Sequence, residues 1–127
     1  RLYGDVPLLG SIEAGFPSPA EEELVDAMSL DEFLIGNKEA TFMLKVKGDS
    51  MINAGIMEGD MVLVERGKAP KPGQIVIAVV DGEYTMKYYR KDGDTIYLEA
   101  ANENYKPIYP NSELQVEAIV QAVIRKY

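Results

Sequence analysis

The nucleophiles this sequence offers are Ser11, Ser18, Ser29, Ser50 and Ser112, the threonines and the lysines, because it contains 0 Cys and 0 His. Without imidazole there is no Ser-His-Asp triad and no histidine metal cluster. Without thiols there is no cysteine nucleophile, thiolate metal site or disulfide framework. Acid–base chemistry at ordinary pH then falls to carboxylates, tyrosines or a lysine whose pKa burial has lowered. No metal ion and no cofactor is expected.

Position separates the serines. Ser50 follows Gly48-Asp49, where a strand pattern breaks and a new element begins. Two roles suit such a junction. A serine there commonly caps a short helix, and position alone favours that role. The same geometry can expose a hydroxyl beside free backbone N–H groups that form an oxyanion hole. A nucleophilic serine needs a base, and the lysine placed to be one is Lys87. It stands in mid-strand within Glu83-Tyr84-Thr85-Met86-Lys87-Tyr88-Tyr89, on one face with Thr85 and Tyr89. Taken singly, a strand lysine among aromatics is more commonly a solvated cross-strand partner whose stem covers apolar surface. Desolvation would lower its pKa and make it a base.

The elements that must position this pair read as strands. From Thr41 the period is two, with Phe42, Leu44 and Val46 on one side and Met43, Lys45 and Lys47 on the other. Ser50 to Met57 is a short apolar segment of helical or turn character closed by Glu58-Gly59-Asp60. Met61 to Glu65 alternates, and Gln74 to Val80 is a β-branched run suited to burial on both faces. Asp81-Gly82 and Asp92-Gly93 are hairpin signals, joining Ile75–Val80 to Glu83–Arg90 and then to Thr95–Glu99. Asn102 to Asn111 is a loop, and Leu114 to Arg125 gives one or two last strands. Upstream, Val6 to Leu9 reads as a short strand leading into a mobile Gly/Pro-rich segment. Glu21 to Leu30 reads as a brief helical turn, and Asp31 to Ile35 as another ended by Gly36. The expected fold is mostly β, an antiparallel meander or partly closed barrel of short strands with one or two helical turns. It forms a single domain over 1–127, with 1–40 as its N-terminal strand and mobile segment.

Composition agrees with a globular domain: 127 residues, 46% hydrophobic and 27% charged. With 13 Lys+Arg against 21 Asp+Glu the net charge is −8, so this chain by itself is a poor ligand for a phosphate backbone. No apolar run approaches the roughly 20 residues a membrane-spanning helix needs. No membrane association and a cytoplasmic location are expected. The chain begins at Arg1 rather than a methionine, and it is expected to be part of a longer or processed protein whose remainder carries a separate activity.

Gly48-Asp49-Ser50-Met51, then Gly55-Ile56 and Gly59-Asp60, then Asp81-Gly82-Glu83-Tyr84-Thr85-Met86-Lys87 together resemble the self-cleaving domain of the LexA-type repressors and their relative UmuD. Ser50 and Lys87 stand at the family's serine-to-lysine spacing. Ala14-Gly15, after Pro7-Leu8-Leu9-Gly10 and before Phe16-Pro17-Ser18-Pro19, resembles the family's cleavage site, upstream of the serine. The resemblance runs from about Val6 to Ile124 and implies a Ser-Lys dyad on a β-rich fold shared with signal peptidases. It makes Ser50 the nucleophile, Lys87 the general base, Ala14 and Gly15 the scissile pair, and the N–H groups of Asp49 and Ser50 the oxyanion donors. Thr85 and Met51 support them. Glu13 departs from the family, which often has a small apolar residue there.

The implied activity is autoproteolysis of the Ala14-Gly15 bond by a serine endopeptidase within an SOS repressor. The RecA filament on single-stranded DNA stimulates it, and DNA is bound only through an N-terminal domain outside this chain. A homodimer through the C-terminal strand Ala118–Ile124 is expected, because that apolar strand would be an aggregation hazard as a bare edge and pairing with a twin accounts for it better than burial as an inner strand, the close second account. Two alternatives stand beside the repressor: a UmuD-like accessory subunit of an error-prone translesion DNA polymerase, and a non-catalytic β-barrel dimerisation module in which Ser50 is a cap and Lys87 a surface residue.

Overall fold

The computed structural model describes residues 4–15, 26–110 and 114–127. The chain divides into two compact units, 1–36 and 37–127. In the first, β1 (Val6–Leu8) pairs antiparallel with β2 (Asp26–Met28), Val6 opposite Met28. The helical turn expected over Glu21 to Leu30 is corrected here. Asp26–Met28 is strand, since pairing with β1 overrides the local acidic pattern; Glu21 to Val25 and Phe16 to Pro19 lie outside the described residues. A five-residue helix α1 (Leu30–Leu34) follows, close to the expected turn over Asp31 to Ile35. Ser29 caps it in a capping box, its Oγ accepting from the Glu32 N–H at 3.1 Å while a Glu32 carboxylate oxygen accepts from the Ser29 N–H at 3.3 Å.

The second unit is a six-stranded antiparallel sheet made of β3 (Thr41–Lys45), β4 (Met61–Glu65), β5 (Ile75–Val80), β6 (Glu83–Asp92), β7 (Thr95–Glu99) and β8 (Leu114–Ile124). Its order is β3-β4-β8-β5-β6-β7. The sheet is open, with β3 and β7 at its edges, and does not close into a barrel. Only β5-β6-β7 is a meander. The β5–β6 turn is the one Asp81-Gly82 signals, both residues at positive φ (49° and 86°), as a type I′ turn demands. The next turn sits one residue later than expected. Asp92 pairs with Thr95, and Gly93-Asp94 turn the chain with only Gly93 at positive φ (61°), the pattern of a type II′ turn.

β8 is one strand, and it lies inside the sheet. It pairs with β5 over Leu114–Ile119 and with β4 over Ile119–Ile124. Register shifts at Leu63/Val64 and at Ile77/Ala78, both opposite β8, let it change partner midway. Both descriptions of Ala118–Ile124, bare edge and inner strand, therefore hold in part: Ala118 and Ile119 are buried between β5 and β4, whereas over Val120–Ile124 β8 pairs with β4 on one side and the β5 ladder has already ended at Ile119. On the edge strand β3, Phe42, Met43 and Leu44 are all exposed although their alternation predicts half-burial.

Alternation along the central strands sends side chains to two cores. Val62, Val64 and Ala118 join Val46, Met51, Ile56 and Ala101 in one cluster, while Val76, Ala78, Leu98 and Ile119 form the other. Neighbours such as Ala118 and Ile119 thus belong to opposite faces. Met51, Ile56 and Leu98 are at most 1% exposed, and burial of each contributes about 1.5–3 kcal/mol. Met51 is one residue past Ser50, so packing the first core also anchors the Ser50 segment.

Candidate active site

The segment carrying Ser50 leaves β3 through Val46 and Lys47 and reverses at Gly48, whose φ of +87° an L side chain rarely adopts. The reversal is tied at both ends. Val46 N–H donates to the Asp60 carbonyl at 2.8 Å, and Gly48 N–H to the Glu58 carboxylate at 2.9 Å. The chain then enters a 3-10 turn (Ile52–Ala54) whose cap position is Met51, with no side-chain cap bond. Ser50 is not a helix cap; among the described residues its Oγ meets the Lys87 ammonium nitrogen at 3.1 Å.

Lys87 reaches this point from mid-β6, opposite Val76, which is wholly buried. Lys87 is itself 7% exposed. Its Nζ donates to Thr85 Oγ1 at 2.6 Å and to the Met86 carbonyl at 3.2 Å. Among the described residues no carboxylate lies within ion-pair distance of it. Burial without a counter-charge penalises the ammonium, so the Lys87 pKa is lowered from 10.5. The three contacts also suit the neutral amine. Its two N–H bonds are taken by Thr85 and Met86, which leaves the lone pair for the Ser50 hydroxyl proton.

Around the pair is a cleft of about 330 Å³ in which apolar Leu44, Val46, Met51, Val62, Ile77 and Met86 alternate with charged Lys45, Lys47 and Asp49. The lowering of the Lys87 pKa therefore comes from the burial of Lys87 itself rather than from an apolar cleft. The Tyr105 ring centroid is 6.0 Å from Lys87 Nζ, and the Tyr105 hydroxyl donates to the Asp49 carboxylate, which pushes the Tyr105 pKa up.

Of the residues singled out in the sequence, Ser50, Lys87, Thr85, Asp49 and Met51 come together here. Among the described residues the N–H groups of Asp49 and Ser50 donate to no protein acceptor. Ala14 and Gly15 belong to the first unit, where both are exposed in a bend. The sequence reading placed a loop after β7 but not its grip on the Ser50 segment. Ala101 N–H contacts Met51 Sδ at 3.4 Å, the Ala101 carbonyl accepts from Asn53 N–H at 2.8 Å, and Asn102 Nδ2 donates to the Asp49 carbonyl at 2.9 Å. No motif signals this clamp, since Asn102 is 53 residues from its partner. Arg125 is a second omission. Its guanidinium grips both oxygens of buried Asp60 at 2.7 Å and the Gly55 carbonyl at 2.8 Å, bracing the far end of the same segment.

The family model for Peptidase S24-like proteins matches residues 7–123. The chain belongs to the Peptidase S24-like family. Within it the chain is similar to LexA repressors: 39% identical to that of Myxococcus xanthus (strain DK1622) over 97% of this chain and 57% of the relative. It is 39% identical to that of Desulfatibacillum aliphaticivorans over 97% and 62%, and 38% to that of Shewanella woodyi (strain ATCC 51908 / MS32) over 94% and 60%. The chain is a LexA-type S24 domain, and it spans about six-tenths of the length of these curated relatives. Among the described residues no helix is long and apolar enough to cross a membrane.

Proposed function

We propose that this chain is the latent serine endopeptidase part of a LexA-type SOS repressor and that it cuts its own Ala14–Gly15 bond. The observation that carries the reading is a buried lysine amine with, among the described residues, no carboxylate at ion-pair distance, 3.1 Å from a serine hydroxyl that makes no cap bond there. In the proposed reaction Ser50 Oγ attacks the Ala14 carbonyl carbon as its proton passes to Lys87 Nζ. The N–H groups of Asp49 and Ser50 receive the developing oxyanion. Collapse breaks the Ala14–Gly15 C–N bond, and Lys87 returns the proton to the Gly15 amine. Water, deprotonated by Lys87, then releases Ala14 from the ester.

Delivery of the bond by the same chain gives it a high effective concentration, so a mostly undocked segment leaves the enzyme latent and an activator need only shift the docking equilibrium. The RecA filament on single-stranded DNA is that activator in this reading, acting in the cytoplasm. The protein works as a homodimer, and DNA contact belongs to a part of the protein outside this chain. The LexA names of the relatives favour the repressor over a polymerase accessory role, and the absence of a Ser50 cap bond argues against a non-catalytic module.

Incubation of the purified chain at alkaline pH, followed by mass spectrometry, tests the proposal. Cleavage between Ala14 and Gly15 is expected, rising with pH to a midpoint below that of a free lysine (about 10.4) and absent in Ser50→Ala and Lys87→Ala. An intact chain after days, or a Ser50→Ala chain that cuts as fast as the unaltered one, rejects it.

A further inference from the structure

The Asn102 side chain is 5% exposed, and nothing in the Ser50–Lys87 chemistry calls for it. Both its polar ends are used. Its Oδ1 accepts from the Asn104 N–H at 2.9 Å, which fixes the orientation of the amide, and its Nδ2 therefore faces the Asp49 carbonyl, 2.9 Å away. That carbonyl and the Ser50 N–H are the two ends of one planar trans peptide unit and point in opposite directions. Holding the oxygen on the buried side aims the N–H the other way. A donor on the carbonyl also polarises the peptide, making its N–H a stronger donor.

We propose that Asn102 is a positioning residue for the oxyanion site: through the Asp49 carbonyl it orients and strengthens the Ser50 N–H that receives the oxyanion. This rests on the self-cleavage reading. Neighbouring contacts of the same loop share the work of placement, since the Tyr105 hydroxyl holds the Asp49 carboxylate and the Ala101 carbonyl holds the Asn53 N–H. On the peptide whose N–H faces the reaction, the Asp49 carbonyl also accepts from the Ile52 N–H at 3.3 Å; Asn102 supplies the shorter of the two bonds, at 2.9 Å, and the one made by a side chain.

Asn102→Asp is isosteric, keeps an acceptor for Asn104 and replaces the donor by an oxygen that repels the Asp49 carbonyl. The unaltered chain, Ser50→Ala, Asn102→Asp and Asn102→Ala are incubated across pH 7–11, with thermal melts as the check on folding. The alkaline plateau rates of Asn102→Asp and Asn102→Ala should fall about 10- to 100-fold, less than the loss on deleting an oxyanion donor outright, and the pH midpoint of the uncharged Asn102→Ala should be unmoved because Lys87 is untouched. A purely structural role would lower the melting temperature and shift the midpoint together. In the unaltered chain, a peptidyl boronic acid ending in alanine should move the Ser50 amide proton resonance downfield, and this measurement stands whether or not either variant folds. A folded Asn102→Asp chain with an unaltered plateau rate, or a Ser50 amide that ignores the boronate, overturns the inference. If the unaltered chain does not cut itself, the self-cleavage reading falls and takes this inference with it; if it cuts and Asn102→Asp cuts equally, this inference falls alone.

Discussion

Asp60 and Lys87 are each almost wholly buried, at 3% and 7% exposure, and the unit resolves the two burials in opposite ways. Asp60 receives both prongs of the Arg125 guanidinium at 2.7 Å and the Met57 N–H at 2.8 Å, and these bonds hold its carboxyl down at about 2. Lys87 receives only neutral oxygens, from Ser50, Thr85 and Met86, and burial lowers its pKa. A buried group given a counter-charge keeps its charge and becomes scaffold. A buried group given none yields its charge, and an amine that does so is a base. Glu65 falls between them. It is 2% exposed, with the Lys68 ammonium 2.6 Å from Oε2, yet that approach lies off a hydrogen-bonding direction and Oε2 has no hydrogen-bond partner.

The largest effect should come from denying Lys87 its neutral state altogether. Lys87→Arg places a group that stays protonated in proteins at the same position. Self-cleavage should fall at least about 1,000-fold at every pH up to 11, as followed by gel densitometry. A variant that retains a wild-type pH profile would show that the proton acceptor lies elsewhere. Thr85→Asp makes the comparison sharper, because it gives Lys87 the kind of partner Asp60 has in Arg125. The pH midpoint of cleavage should rise by about 1–3 units, so the rate at a fixed pH below it drops about 10- to 1,000-fold and returns at higher pH. A drop that higher pH does not reverse would mean that Thr85 serves placement rather than the electrostatics of the amine.

Much of this contrast was legible in the residues and some was not. Glycine breaks and strand periods placed Ser50 at a junction and Lys87 in mid-strand, but alone they favoured a helix cap and a solvated lysine, and only the family resemblance paired the two; the Asp81-Gly82 turn was readable by itself, since few other residues accept its dihedrals. Asp26–Met28 was misread because pairing with β1 overrides local propensity. β8 showed only an apolar run; that its first half pairs with β5 and its second with β4 depends on partners far away in the chain. The clamps were illegible for the same reason. Asp60 meets Arg125 across 65 residues and Asp49 meets Asn102 across 53, with no motif joining either pair.

Asp60→Asn should act on the fold rather than on the amine. The Asp60 carboxyl is held at about 2 against an ordinary value of 3.8, so between those values the unfolded chain binds more protons than the folded one. Its contribution is complete above about pH 4 and is lost as pH falls through about 2. Thermal melts should place Asp60→Asn below the unaltered chain at pH 7, because Arg125 loses its partner, and the difference should shrink between pH 4 and pH 2. Two curves displaced by a constant amount over that window would assign the acid transition to another group.

The smallest effect should carry the opposite sign. The folded Lys87 pKa lies below 10.5, so at intermediate pH the unfolded chain binds more protons, and the stability of the fold rises with pH until the unfolded lysine has also deprotonated. At neutral pH the buried amine is therefore a burden on the fold, a cost that the proposed role as base would account for. Lys87→Met keeps an unbranched apolar stem of similar length in a pocket bordered by Val76 and Tyr105 and removes the titration. Melting temperature at pH 7 should be unchanged or a few degrees higher than that of the unaltered chain. The gap between the two should narrow as pH rises and close above about 10.5, where the unaltered lysine is neutral in both states. A Lys87→Met chain that melts lower at pH 7 would mean that the three oxygens stabilise the ammonium after all, and Lys87 would then belong with Asp60 as scaffold.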